Sequence, residues 1–386
     1  MQSLSYLLMK SFNNTTPVKI LCGENIYLQL PAKLYGRYKK VLLLCADTSL
    51  DCSIYEKFRT HLINSHIPIC ETLFIAPNPT ASTLSHYVKK CNLHRADCII
   101  ALGGGSVMDA AKYVGMTARD SLISIPVITV PTFSATGSEV SSSAVLINDN
   151  TQKSYSLKCH FPLLTIMDPV LTAAVPVNSA ACGSLSIFHH IFEFYLGAHT
   201  DNELLKSYAE SLICSTMKAV EKMIKYPDNL DARSDLLWSA ALARTQFSGL
   251  GSHHHYTTCH HLAKSFSCHL HISYNLSLSL LMPIFLHKLS KIRPQAFTRF
   301  SRNVFGLTTT EDSLDAQIGC DSFINWLKTV GLLNGDRTVF RNFISNELSP
   351  EHLALIIWES YNTAPNTCSL WTYKDILQIL MTMFSK

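Results

Sequence analysis

The chain has 386 residues, of which 47% are hydrophobic and only 16% charged. That balance excludes general disorder and implies two or three domains with a large core or an oligomer interface. Thirty-two basic residues stand against 28 acidic ones, a net charge of +4 with histidine neutral. No basic block stands out, so a nucleic-acid or membrane-surface role has no support.

The 13 cysteines are odd in number and form no CxxC pair, which argues against a disulfide framework or a zinc ribbon. No apolar run reaches the ~18–20 residues of a membrane span. The N-terminal MQSLSYLLMKSF lacks the basic start of a signal peptide. The expectation is a soluble cytoplasmic protein.

From the start of the chain, short apolar runs alternate with amphipathic segments. Val41–Cys45, Cys70–Ile75, Cys98–Leu102 and Ile125–Val130 read as buried strands, and Ser53–Ser65 and Ser82–Cys91 as helices. This alternation predicts βαβ units and a parallel sheet, with ligands beyond the carboxyl ends of its strands. After Pro176 strand signals stop. Helical spacing covers Ser179–Leu196, Asp201–Ile224, Asp231–Ser248, Ser277–Lys288, Ile318–Val330 and Lys374–Met383. The expected fold is an α/β nucleotide-binding domain over 1–176 and an all-helical domain over 177–386, with the boundary near Ala174–Asn178.

Two loops at strand ends invite chemistry. Gly103, Gly104, Gly105 and Ser106 run from the Cys98–Leu102 strand into a helix that carries Asp109 in its first turn. Glycines let backbone approach a phosphate, and a helix N-terminus offers free N–H donors. Ser106 is placed to cap that helix. Val130–Glu139 also follows a strand and is dense in hydroxyls: Thr132, Ser134, Thr136 and Ser138. Together the two loops can grip a diphosphate and a ribose. Lys112, further along the glycine-rich helix, reads as a surface lysine.

The segments Ala76–Thr80 (APNPT), Gly103–Lys112 (GGGSVMDAAK), Pro131–Glu139 (PTFSATGSE) and Asp168-Pro169 resemble the iron-containing alcohol dehydrogenase family, part of the dehydroquinate synthase-like superfamily. Ala364-Pro365-Asn366 and Leu370–Ile379 resemble the family's closing segment. The helical half is most similar to butanol-dehydrogenase-like aldehyde reductases. The resemblance implies an NAD or NADP molecule in the interdomain cleft, with Gly103, Gly104, Gly105 and Ser106 at its pyrophosphate. Thr132 and Ser138 would lie near the ribose and nicotinamide, and Asn78, Asp109 and Thr136 fall in the matched motifs. Asp47 stands where family members often have an aspartate near the adenine ribose. A carboxylate there favours NAD, although Asp47 also reads as an ordinary turn residue. The activity implied is interconversion of a small alcohol with an aldehyde or ketone, in a homodimer or larger assembly.

The metal site departs from the family pattern. The G-x-x-D-x-x-x-H-x-x-E segment is Gly183–Glu193 here, with His190 in place but Ser186 at the aspartate position. Counting back from Pro283 puts the last ligand at Tyr274 and the one before it at His260, with Lys264 one helical turn further on. Two imidazoles hold a divalent metal poorly. Three arrangements stay open. His189, Glu193, His261, His269 or His271 could rebuild a site for Fe2+ or Zn2+. Lys264, Tyr274 or His260 could act without metal as electrophile or general acid. Or catalysis is lost and a nucleotide-binding or interaction module remains.

Other features read as structural. His253–His255 suit a polar loop near the cleft mouth, and His160 has no evident partner. Trp238, Trp326, Trp358 and Trp371 sit at core-like helical positions. Phe188, Phe192 and Phe194 flank the site, with Phe192 a possible pocket wall.

Overall fold

The structure is a computed structural model. It describes residues 17–47, 52–118, 124–151, 154–197, 203–245, 258–270, 272–333, 349–362 and 371–384. The N-terminal part interleaves strands β1 (Lys19–Cys22), β2 (Val41–Ala46), β3 (Ile69–Ile75), β4 (Cys98–Gly103) and β5 (Val127–Pro131) with helices α1 (Leu30–Leu34), α2 (Cys52–Asn64), α3 (Ala81–His94) and α4 (Gly105–Thr117). An antiparallel hairpin, β6 (Ser143–Ile147) and β7 (Ser154–Lys158), follows, and then β8 (Leu164–Met167).

The main sheet is parallel throughout, in the order β1-β8-β5-β4-β2-β3. Strands β2 and β4 read as continuous apolar runs because both of their faces are covered. Leu42, Leu44, Ile99 and Ala101 pack towards α4 on one face, while Val41, Leu43, Ile100 and Leu102 pack against Leu30 and Phe58 on the other. The chain runs from β2 outward to β3, then returns past β2 to lay down β4. This reversal leaves a crevice beyond the carboxyl ends of β2 and β4, where open α/β sheets bind ligands.

Beyond β8 the short α5 (Pro169–Thr172) leads into α6 (Val177–Gly197), α7 (Glu203–Lys225), α8 (Leu230–Arg244), α9 (Thr258–His269), α10 (Tyr274–Ile292), α11 (Pro294–Phe305) and α12 (Asp312–Thr329). Helices Pro350–Asn362 and Tyr373–Phe384 complete the described chain. Their core is aromatic at its centre: Phe188 meets Phe323 edge-on with ring centroids 5.1 Å apart, and Phe192 meets Phe300 at 5.5 Å. Phe192 is therefore core, not a pocket wall. Trp371 is buried and Trp326 donates to Glu221 Oε1 at 2.6 Å. Trp238 differs from expectation: it is 36% exposed, because α8 turns that residue outward while Leu237 and Ala241 face in.

The two parts meet closely where α6 crosses the loop after β5. A side-chain carbon at Gly183 would collide with the Ser134 carbonyl oxygen and stand 3.1 Å from the Phe133 ring. Gly183→Ala is therefore expected to cost about 2 kcal/mol or more, as overpacking against backbone does. An unchanged urea midpoint would contradict this contact.

Candidate active site

The crevice holds two connected cavities that share Gly105, Ser106 and Phe133. The first spans about 790 Å³, its open mouth included, and is lined by Ala46, Ile75, Gly104, Val107, Thr132 and Ser179, among others. The second, about 1630 Å³, runs from Asn78, Thr136 and Ser138 to His190, His260 and Lys264. Both are open to solvent.

The glycine run is shaped for close approach. At Gly104 a side-chain carbon would meet only Phe133, at 3.7 Å, so the backbone stands bare to the cavity. At Gly105 it would come 2.9 Å from Thr136 Oγ1. Gly104 is the N-cap of α4 and makes no side-chain cap, leaving free N–H groups at a positive dipole end. Ser106 does not cap the helix as expected, since it already lies within it. Its Oγ accepts from the Asn78 N–H at 3.3 Å. A bare backbone and free donors at the edge of the crevice suit a dinucleotide's diphosphate. Asp47 lies beyond the end of β2, exposed and outside the lining of both cavities.

Lys112 is the largest departure from the sequence expectation. It is buried, and its Nζ donates to Ser138 Oγ at 2.7 Å, to the Ser138 carbonyl at 3.1 Å and to the carbonyls of Ser141 and Ser143. Asp109 Oδ1 stands 3.0 Å from the same Nζ and accepts from Ser138 Oγ at 2.5 Å, while Oδ2 accepts from the Val145 N–H at 2.9 Å. Asp109 and Ser138 thus line the cavity with their polar atoms engaged by the protein. Nearby Glu139 is fully buried, and burial pushes its carboxyl up to about 7 against the partial relief from Lys112.

Across the cavity, α6 presents His190 and Glu193, with Ser186 and His189 buried behind them; α9 presents His260, His261 and Lys264; α10 begins at Tyr274. The His260 Nδ1 and the Tyr274 hydroxyl oxygen are 2.6 Å apart. Burial, then the Lys264 charge, holds His260 well below its ordinary range, and burial raises Tyr274 well above its own. Burial also lowers His190 to about 4. Glu193 is ionised: burial opposes this, but His189, with Nε2 3.0 Å from Oε1, and His190, with Nδ1 3.7 Å from Oε2, outweigh it. Burial, then Arg244, lowers Lys264 to about 8.

These side chains do not form a metal centre. Ser186 Oγ donates to Asn275 Oδ1 at 2.6 Å, a neutral contact. Tyr274 is engaged with His260. His189 stacks parallel to His260, 9° from coplanar at 5.6 Å, so the two rings do not converge on a point. Buried His189 nitrogens and Glu193 Oε1 lack hydrogen-bond partners, and His189 Nε2 stands 3.0 Å from Glu193 Oε1, facing it rather than a point shared with His260. Among the described residues, the one trio with ligand atoms mutually within 4.8 Å is His287, Cys320 and Asp321, outside the crevice lining. The donor set here does not fit the metal that the resemblance implies.

Family models match the chain on both sides of the crevice. The model described as iron-containing alcohol dehydrogenase covers residues 17–169, and that of the Fe-containing alcohol dehydrogenase family, C-terminal, covers 180–382. The chain belongs to the iron-containing alcohol dehydrogenase family. An NADH-dependent butanol dehydrogenase B of Clostridium acetobutylicum is 27% identical over 80% of this chain and 83% of its own length. An NADPH-dependent aldehyde reductase, YqhD of Escherichia coli, is 24% identical over 80% of this chain and 84% of its own. The crystal structure of an NADH-dependent butanol dehydrogenase A from Thermotoga maritima covers 97% of this chain and 99% of its own, at 24% identity and a TM-score of 0.81. This family member is an oxidoreductase of the NAD(P)-dependent alcohol dehydrogenase and aldehyde reductase type.

Sequence reasoning missed Arg244, Ser143 and Asn275. Arg244 ends α8 and lines the second cavity, with its Nη2 donating to Ser143 Oγ at 3.0 Å. No motif marks it; a cation in a last helical turn is common. His160 is exposed. His253–His255, His271 and Ala364–Asn366 lie outside the described residues.

Glu139 generates a pH prediction. Its folded pKa of about 7 lies above the ordinary 4.5, so the folded state holds the proton longer. Stability is then lost as pH rises through this window, by up to about 3 kcal/mol. Urea midpoints measured on both sides of the window should show the loss in the wild type and its disappearance in Glu139→Gln.

Proposed function

We propose that this oxidoreductase reduces a small aldehyde or ketone with NADH, using its own side chains in place of a metal. The observation that carries this reading is the 2.6 Å contact between Tyr274 and His260, inside the same cavity as the glycine-rich loop. Gly103, Gly104, Gly105 and Ser106 hold the diphosphate. Thr132, Thr136 and Ser138 shape the wall beside the nicotinamide ribose, Asn78 bounds it and Asp109 fixes it through Ser138. Asp47, exposed one residue beyond Ala46 of the first cavity's lining, supports NADH over NADPH, since its carboxylate would repel a 2′-phosphate brought near it.

NADH, when held by the glycine-rich loop, would supply the hydride that the carbonyl carbon receives. The Tyr274 O–H donates a hydrogen bond to the carbonyl oxygen and gives up its proton as negative charge develops there. His260, neutral with its proton on Nδ1, donates to the phenol oxygen and passes that proton to Tyr274 as its Nε2 takes one from water in the open cavity, which supplies the proton that the reduction consumes. Lys264 lines the same cavity as a cation and favours the alkoxide. The reverse sequence oxidises an alcohol. No member of this relay needs Ser186 as a ligand, which agrees with its neutral bond to Asn275. Low charge content supports a homo-oligomer, and the free thiols support a reducing compartment such as the cytoplasm.

Protein purified without chelator is expected to hold far less than one iron or zinc per chain and to oxidise NADH with butanal equally well in EDTA. Tyr274→Phe should lower kcat about a hundredfold while NADH binding persists, as loss of a general acid does. Stoichiometric metal, or turnover abolished by EDTA, would overturn the relay.

Lys264 adds a pH dependence. It is charged below about 8 and neutral above it. Reduction should therefore slow as pH rises through about 8, and Lys264→Met should be slower below about 8, lack that step and approach the wild type above it. A step surviving in Lys264→Met would assign it to another group.

A further inference from the structure

Arg244 is a charge that the reaction above does not use. The carboxylates lining the second cavity are Asp109 and Glu193, and both are spoken for: Asp109 by Lys112 at 3.0 Å, Glu193 by His189 at 3.0 Å. Among the described residues, no carboxylate lies within ion-pair distance of Arg244 or Lys264. Arg244 has one hydroxyl, Ser143 Oγ, on one arm of its guanidinium. Its position at the end of α8 favours the helix dipole, but its charge acts into the cavity: after burial, it helps lower Lys264 and His190, and it works against the burial that raises Tyr274.

The stem of Arg244 is also held in place. Gly137 takes a positive φ of 64°, and a side-chain carbon there would collide with Arg244 Cβ and lie 2.5 Å from the Ala240 carbonyl. A bare glycine in the loop after β5 is what lets the arginine stem lie against it. Two cations on one cavity wall repel each other, and a fixed guanidinium with a free edge is matched by a carboxylate, which it binds through paired hydrogen bonds.

We infer that Arg244 binds an anionic group of the substrate, so that the preferred substrate is a carbonyl compound bearing its own carboxylate. This rests on the carbonyl-reductase reading above but is separable from it. The competing anion is the diphosphate of the cofactor, which would use the same arginine chemistry.

Butanal and its ω-carboxylated counterpart, succinic semialdehyde, separate these cases when compared in the wild type, Arg244→Gln and Arg244→Lys. Butanoate binding to the NADH-loaded protein, by calorimetry, gives a readout that needs no turnover. The wild type should favour the carboxylated aldehyde in kcat/KM. Arg244→Gln should lose about tenfold or more of that preference, the effect of one charge-assisted pair, mainly through KM. Arg244→Lys should restore part of it, which a role in folding alone would not produce. Butanoate binding should weaken in Arg244→Gln with NADH affinity retained. Wild-type preference for butanal, equal loss on both aldehydes, or weakened NADH binding in Arg244→Gln would each overturn the assignment. If neither aldehyde is reduced but butanoate binds through Arg244, the activity reading fails and the anion site stands.

Discussion

The buried ammonium of Lys112 is the constraint on which the crevice depends. A charge removed from water must be met by partners on every side, or it is lost to desolvation. Here the partners come from three separate pieces of chain: Asp109 on the glycine-rich helix, Ser138 at the end of the second loop, and the carbonyls leading into the β6–β7 hairpin. Each piece owes its position to the others. The loop cannot drift from the helix without stripping Lys112 of its hydroxyl and carbonyl ligands. The hairpin is tied again through Val145 to Asp109. A loop rich in serine and threonine would otherwise be free to move. One lysine makes it a fixed wall.

That arrangement explains what the sequence could and could not show. Strands β2 and β4 were legible because both faces are buried, so VLLLC and CIIALG are apolar without interruption. The glycine run and the hydroxyl loop were legible because their residue types are unusual at strand ends. The β6–β7 hairpin was not: SAVLI is short and follows a run of serines, and SYSLK alternates serines with few apolar residues, yet Ser143, Ser154 and Ser156 line the second cavity. Helix α9 was hidden in the same way. Its buried face is Cys259, Leu262, Ala263 and Phe266, only two large apolar side chains in the segment, amid histidines that drew attention instead. Lys112 was misjudged because helical spacing reports which face a residue occupies, not which distant carbonyls wait there. Convergence of His260 and Tyr274 followed the motif register, but their direct contact, and the capture of Ser186 by Asn275, required coordinates.

The charge balance of the helical side makes the altered ligand set coherent. A divalent ion with an aspartate ligand carries one net positive charge. On the metal-free reading proposed above, with Ser186 at the aspartate position and Tyr274 at a histidine position, no coordination sphere supplies that charge. Lys264, one turn beyond His260, places a single positive charge in the same cavity by other means. Glu193 stays ionised beside His189 and His190, and together with Asp109 it offsets only part of the burial and Arg244 repulsion that lower Lys264. Arg244 then adds positive potential beyond what the carbonyl oxygen requires. In a cavity partly closed to water, where attraction and repulsion both grow, such an excess is a cost to the empty protein. Repulsion between Arg244 and Lys264 is part of what lowers the lysine. An incoming anion relieves that repulsion and strengthens the positive charge on Lys264 at the moment the alkoxide forms. Substrate charge and catalytic competence are thereby coupled through two side chains on different helices, with the Gly137 turn holding one of them in register.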